Sequence, residues 1–307
     1  MARDFRFSVN VFGIPSRAAL QERCRRAESA GFHTVFAPDH LGAPAPFPVL
    51  QAAADATEHL RVGTLVLNAP FWNPALLARE TASLDILTDG RFELGLGSGH
   101  MKWEFDAAGI PWEGFAARAR RLEETITELQ RFFSSDMAAL PGGHAPVPVQ
   151  RTGFDGSGPP LIVGGTGDRV LTIAGRYADI IGVAGVYQVK GQPPGTLRIG
   201  TAAETDERMR FAREAAGERA AQVEWHLLVQ AVVPTDDRRA AAADLVSKFS
   251  APMTVDDALE TPFALIGTPA QMAEQLRASR ERYGFSYVTV HEPYYEAFEP
   301  VVELLRS

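Results

Sequence analysis

The chain has a single cysteine, Cys24, among 307 residues. It can therefore form no internal disulfide, no CxxC redox pair and no cysteine-rich metal centre, and a reducing compartment fits it best. Lysine is almost as scarce: Lys102, Lys190 and Lys248 stand against many arginines, a bias of composition more than of chemistry. Positive charge is in deficit overall, with Lys+Arg 30 against Asp+Glu 38 and a net charge of −8. That balance argues against nonspecific nucleic-acid binding, which needs basic patches to neutralise phosphates. No apolar run reaches the roughly eighteen residues of a membrane span. The opening "MARDFRFSVNVFG" also lacks a charged region followed by a long apolar stretch, so the expectation is a cytoplasmic protein without a membrane partner. Further absences narrow the chemistry. There is no HExxH and no tight His/Asp cluster, so no metal is expected. Neither Ser98 nor Ser157 lies in a GxSxG elbow, "GGTGDR" is not followed by GK[ST], and "GLGSGH" lacks GxGxxG spacing. Metal-dependent hydrolysis, acyl-enzyme chemistry, a P-loop and a dinucleotide fingerprint all lose ground, and no repeat of solenoid length occurs.

What is present is an ordinary apolar fraction, 46%, in an alternation of short β-rich runs and amphipathic helical segments. Such alternation argues for parallel strands joined by crossover helices. Eight strands are read: "FRFSVNVFG", "HTVFAPDH", "LRVGTLVL", "RFELGLG", "PPLIVGG", "DIIGVAG", "VEWHLLVQAVV" and "FSYVTV". Between them lie helices such as "SRAALQERCRRAESAG", with Ser16 as N-cap and Cys24 on the apolar stripe, and "FAARARRLEETITELQRFF". The fold class expected is α/β, a (β/α)8 TIM barrel with loop insertions. Residues 1–307 are read as one domain, with excursions at about 134–159 and 184–204.

Functional groups of such a barrel gather where the strands end. Past strand two come Asp39 and His40, and past strand three Asn68. Gly97, Ser98, Gly99 and His100 follow strand four, Gly164, Gly165, Thr166 and Gly167 follow strand five, and His291 and Glu292 follow strand eight. "GGTGDR" can direct backbone N–H groups and a helix N-terminus at a phosphate, or can serve only as a tight turn. His40 can exchange a proton near neutral pH, or can be a packing histidine. His33, His59, His144 and His226 have no comparable placement and are read as structural.

Four stretches carry a resemblance to a known family: "HTVFAPDHLG", "LRVGTLVLNAPFWNPALLARETASLDILTDGRFELGLGSGHMKWEFDAAGIPW", "PPLIVGGTGDRVLTIAGRYADIIGV" and "LIGTPAQMAEQLRASRERYGFSYVTV". Together they resemble the bacterial luciferase-like monooxygenase superfamily, and within it the oxidoreductases that use the deazaflavin coenzyme F420. The resemblance implies a tricyclic ring in the barrel mouth, supported by a non-proline cis peptide near Leu65, Val66 and Leu67 beside Asn68. It implies a phosphate cradle at Gly164, Gly165, Thr166 and Gly167 with Arg169 nearby, and a cofactor chain that crowds Gly97 and Gly99. Arg176, Lys190 and Arg198 are further candidates for a cationic rim.

His40 matches a histidine placed near the reactive carbon in F420-dependent relatives, so the resemblance implies proton transfer by His40, with Asp39 orienting it. Sugar-phosphate-oxidising relatives carry a glutamate where this chain has His100, which makes His100 a second proton-donor or substrate-contact candidate. Trp103, Trp112, His291 and Glu292 are the remaining candidates for the substrate pocket. The function implied is an F420-dependent oxidoreductase that moves a hydride between the deazaflavin and a small organic substrate. Its rivals are an FMN-dependent monooxygenase fed reduced flavin by a separate reductase, and a flavin-binding carrier or sensor without turnover. Relatives commonly form dimers, so a homodimer is expected.

Overall fold

The computed structural model describes residues 3–134, 158–248 and 253–306. Eight parallel strands form its centre: β1 (Arg6–Asn10), β2 (Thr34–Ala37), β3 (Arg61–Thr64), β4 (Phe92–Gly97), β5 (Leu161–Gly165), β6 (Ile180–Val183), β7 (Glu224–Val229) and β8 (Phe285–His291). Each pairs with its neighbour in sequence. β8 returns to β1 through Val9 opposite Val290, and β3 meets β4 through Val62 opposite Phe92, so the sheet closes. This is the expected (β/α)8 barrel. Its strands are apolar on both faces because one faces the barrel interior and the other the surrounding helices.

Helix Phe115–Phe133 illustrates how the outer layer is specified: Ala119, Leu122, Ile126, Leu129 and Phe133 are buried on one stripe while its glutamates face out. Ser16 accepts from Ala19 N as the N-cap of Arg17–Ser29, and Cys24 is fully buried on that helix, where burial pushes the thiol up to about 12.

The amino-end half of the barrel is filled. Glu93 accepts hydrogen bonds from Arg6 Nη2 at 2.5 Å, Arg61 Nε at 2.5 Å and Tyr287 OH at 2.9 Å, and Phe36, Ile162 and Ile180 pack beside Tyr287. Burial alone would raise the Glu93 carboxyl, but Arg6 and Arg61 more than offset it and hold it down at about 2.

Several elements differ from the sequence reading. The run "VEWHLLVQAVV" is two strands: β7 ends at Val229, and Ala231–Pro234 leaves the barrel to pair with Ala264–Gly267, a strand that was not anticipated. Gln230 N and Ala231 N both donate to Phe263 O, which fixes the switch, and an uninterrupted apolar run gives no sign of it. The excursion around 184–204 contains an antiparallel hairpin, Val186–Gln188 against Leu197–Ile199. A short helix, Lys102–Ala108, follows β4 and ends at Gly109 with φ 68°, a left-handed cap. Of the excursion at 134–159, residues 135–157 lie outside the described residues. Among the described residues no helix is long and apolar enough to cross a membrane.

Candidate active site

β3 is interrupted after Thr64. The chain passes through a cis peptide between Leu65 and Val66 and resumes pairing with β4 at Leu67 and Asn68. Thr64 ties the interruption down, its hydroxyl donating to Gly95 O and accepting from Gly95 N. This detour explains the alternating glycines of "GLGSG". A Cβ at Gly95 would lie 2.0 Å from Thr64 O, one at Gly97 2.7 Å from Val66 Cγ2, and one at Gly99 2.5 Å from Asn68 Oδ1. Gly97 and Gly99 do line the cavity above, but the atoms that exclude a side chain from them belong to the protein. Crowding at these two glycines thus arises within the protein itself.

At the carboxyl end of the barrel lies a cavity of about 710 Å³. It is lined by the cis-peptide segment, the ends of β2, β4, β5 and β8, and the 186–199 hairpin. The hairpin tip reaches the loop after β4, where a Cβ at Gly195 would come within 2.8 Å of Met101 Sδ.

His40 faces this cavity, and its Nδ1 lies 2.8 Å from Glu104 Oε1. Glu104 is buried and also accepts from Leu41 N. Because a carboxylate only accepts, the neutral imidazole carries its proton on Nδ1 and leaves Nε2 free to accept one. Asp39 does not orient His40. Its Oδ2 accepts from Asn68 N at 3.1 Å and Trp72 Nε1 at 2.9 Å, so it anchors the resumed end of β3. Burial pushes the Asp39 carboxyl above its ordinary value, opposed by the Trp72 and Asn68 hydrogen bonds.

His100 stands edge-on to His40, ring centroids 5.6 Å apart, at the cavity rim. Desolvation by the surrounding walls, then the neighbouring His40, hold its pKa below the usual imidazole value.

Across the cavity, Gly164, Gly165, Thr166 and Gly167 form the lining between β5 and helix Asp168–Tyr177. Arg118 joins them. It is 7% exposed, stacks at 3.7 Å over the Trp112 ring, donates to Glu113 O and leaves Nε without a partner among the described residues. It is the one arginine or lysine among the described lining residues. Arg169 is exposed and outside the lining, Arg176 pairs with Glu123 and Arg198 with Glu204. Lys190 also lies outside the lining, so among the described residues the cationic rim reduces to one guanidinium. A buried Arg118 beside glycine amides and a helix N-terminus fits an anionic group such as a phosphate.

The substrate-side candidates separate. Trp112 and His291 line the cavity, whereas Trp103 is 53% exposed and outside it. Glu292 is already committed, pairing with Arg23 and accepting from Phe12 N at 2.7 Å and Gly13 N at 3.0 Å. His226, read as structural, bonds Thr289 Oγ1 through Nε2 but also lines the cavity. His33 accepts from Phe7 N, His59 is exposed, and His144 falls outside the described residues. Among the described residues no three His, Cys, Asp or Glu side chains gather as metal ligands.

Two important residues were missed from sequence. Glu104 carries no motif. Arg118 did have a signal, since it falls in register with Leu122, Ile126 and Leu129, so the inward face of an amphipathic helix carries a charge.

Residues 8–254 match the profile of the luciferase-like monooxygenase family, and β2 to β7 with their loops lie in that span. The chain belongs to this family. Proteins similar to it include an F420-dependent glucose-6-phosphate dehydrogenase of Intrasporangium calvum, 32% identical over 191 residues, covering 52% of this chain and 56% of that protein. The oxygenase component of a flavin-dependent trigonelline monooxygenase of Acinetobacter baylyi is 32% identical over 120 residues, 38% of this chain and 33% of the other. The chain spans about half the length of the first curated relatives it matches. In three dimensions it resembles the coenzyme F420-dependent tetrahydromethanopterin reductase of Methanopyrus kandleri, with a TM-score of 0.73 and 17% identity over 98% of both chains. That likeness speaks for the family's barrel fold.

Proposed function

We propose that the protein is an F420-dependent oxidoreductase acting on a small organic substrate. The observation that carries this reading is the Glu104–His40 pair at 2.8 Å on one wall of the cavity, with Arg118 and the Gly164–Gly167 loop on the other. The residues fit a phosphate-bearing tricycle. Arg118 Nε and Asn68 Oδ1 are buried and unpartnered among the described residues, and a Cβ at Gly164 would still leave 3.6 Å to Gly182 O, whereas one at Gly165 would lie 2.7 Å from Val170 Cγ1 and one at Gly167 3.0 Å from Phe115 Cζ, so of the loop's glycines Gly164 is the open one. Arg118 with the loop amides would hold the anionic side chain of the cofactor, and the cis-peptide segment would support its ring.

When bound, the deazaflavin would supply the hydride donor or acceptor. The chain's own residues manage the proton and the water. His40 Nε2 faces the substrate and takes or gives the proton that accompanies hydride movement at a carbonyl, alcohol or activated double bond. Glu104 fixes the Nδ1–H tautomer and stabilises the imidazolium when it forms. His100, edge-on to His40 at the rim, offers the route by which that proton reaches solvent. Phe12, Trp112 and Leu228 keep the reacting end of the cavity apolar.

Flavin-dependent relatives make FMN the competing cofactor. Parallel titration with the deazaflavin and with FMN, on protein from a host that makes no deazaflavin, separates them. Binding of the deazaflavin with weaker FMN binding is expected; tight FMN binding with no deazaflavin response rejects the proposal.

A further inference from the structure

The cavity has two polar poles, and the proposed cofactor accounts for only one of them. At the first, Asn68 and Arg118 lie with the loop that follows β5. At the second, Asn10 ends β1 and His291 ends β8, opposite each other in register. In a closed ring of eight strands, the β1–β8 junction stands across from the β4–β5 junction. Asn10 is 2% exposed and faces the cavity, and its Oδ1 has no partner among the described residues. His291 Nδ1 is likewise buried and unpartnered. Buried polar atoms left unpaired are uncommon enough to need a reason, and two on residues that line one cavity from adjacent strands share theirs.

Much of the wall between the poles is apolar, with His226, Gln188, Gln192 and Gln230 as further polar lining residues. Phe12 stands between the two histidines that face it, its ring 6.4 Å from that of His40 and 5.4 Å from that of His291. Trp112, Val186, Pro194, Leu197 and Leu228 supply further wall. The lining carboxylates are engaged, Asp39 with Asn68 and Trp72 and Glu104 with His40 and Leu41. Arg118 belongs to the opposite pole. Among the described lining residues a charged substrate group at the Asn10–His291 end would meet no counter-ion, and burying it there would be costly.

We infer that the substrate is an uncharged, largely apolar carbonyl or alcohol compound whose one additional neutral hydrogen-bonding group is held by Asn10 and His291 while its reacting carbon lies beside His40. This rests on the oxidoreductase reading above and sharpens it to a substrate class. Sugar phosphates and keto acids fall outside it.

Three ketones of one shape test it: 4-methylcyclohexanone, 4-hydroxycyclohexanone and 4-oxocyclohexanecarboxylate. Deazaflavin affinity is titrated first by its own fluorescence, and a failure there strikes the cofactor reading alone. Ketone affinity is then read by thermal shift in protein without cofactor and in protein loaded with whichever cofactor binds. The expected order is hydroxyl, then methyl, then carboxylate, with the hydroxyl form ahead of the methyl form by about tenfold or more, as a satisfied buried hydrogen bond gives. In Asn10→Ala and in His291→Phe that first gap should shrink to roughly threefold or less with cofactor affinity unchanged. Two variants at separate strands guard against one that fails to fold. Equal binding of all three ketones, preference for the carboxylate, or a hydroxyl–methyl gap that survives both substitutions would overturn the inference.

Discussion

Glu104 Oε1 lies 2.8 Å from His40 Nδ1, joining the loop after β2 to the short helix after β4 across the mouth of the barrel. The pair leaves His40 Nε2 without a hydrogen-bond partner among the described residues, and His40 lines the cavity. Replacing His40 by alanine should lower kcat by about 10² to 10⁴, the usual worth of a positioned proton-transfer group, and leave cofactor affinity within about twofold. Glu104→Gln should cost less, on the order of tenfold to a hundredfold in kcat, because the amide can still hold the ring but brings no charge. Steady-state kinetics beside a cofactor titration checks both, and unchanged turnover in His40→Ala would remove it from the mechanism.

Arg118 is buried against Trp112 without a carboxylate partner among the cavity-lining residues it joins. Arg118→Met keeps the bulk and removes the charge, so cofactor affinity should fall by about tenfold to a hundredfold, while the thermal midpoint should hold or rise because a buried charge is lost. Arg118→Lys should not restore affinity, since a lysine lacks the planar fork and the ring stacking. Fluorescence titration at two salt concentrations reads the effect.

The glycines divide into two groups with opposite expected behaviour. Gly95→Ala would place a methyl 2.0 Å from a backbone oxygen, which a flexible neighbour cannot relieve, and should destabilise the protein by at least about 3 kcal/mol or abolish soluble expression. Gly164→Ala meets nothing closer than 3.6 Å, so it should fold normally and weaken cofactor binding instead. Thermal unfolding and titration of the two variants side by side decide it.

Stability should fall on acidification before any carboxylate is lost. Burial holds His226 down at about 3 and His291 at about 4, against about 6.5 for an unfolded histidine. Between those values the unfolded chain takes up protons that the folded chain refuses, so stability drops as pH falls below about 6.5. His226, which is fully buried, contributes a loss of about 2 kcal/mol between pH 6.5 and 5, and the partly buried His291 contributes less. Glu93, held at about 2, works in the lower window: its contribution is complete above the unfolded carboxylate value of about 4.3 and disappears as pH falls through about 2. Urea midpoints at pH 7, 6 and 5 should decline, and more shallowly in His226→Asn.

The barrel was legible because its signal is repeated eight times, and each strand is short, apolar and flanked by turn residues. His40, Asn68 and the Gly164–Gly167 loop were legible because they stand at strand ends, where a barrel gathers its polar groups. Glu104 was not, because its partner is 64 positions away and only the docking of the short helix Lys102–Ala108 brings them together. Asp39 was assigned the wrong partner for the complementary reason: it is adjacent to His40 in sequence, but adjacent residues on an extended segment point apart. The crowding of Gly97 and Gly99 was anticipated, but the protein atoms that produce it, and the tighter contact at Gly95, were not, since the β3 detour is a tertiary contact between two strands.

The plug of Glu93, Arg6, Arg61 and Tyr287 fills the barrel at its amino end, so among the described residues the way into the cavity is from the carboxyl end. A single door imposes a queue: whatever seats deepest has to arrive first and depart last, and a late arrival shuts in the one before it. On the proposed function, product-inhibition patterns should therefore report an ordered sequence, with the tricycle entering ahead of the compound it reacts with.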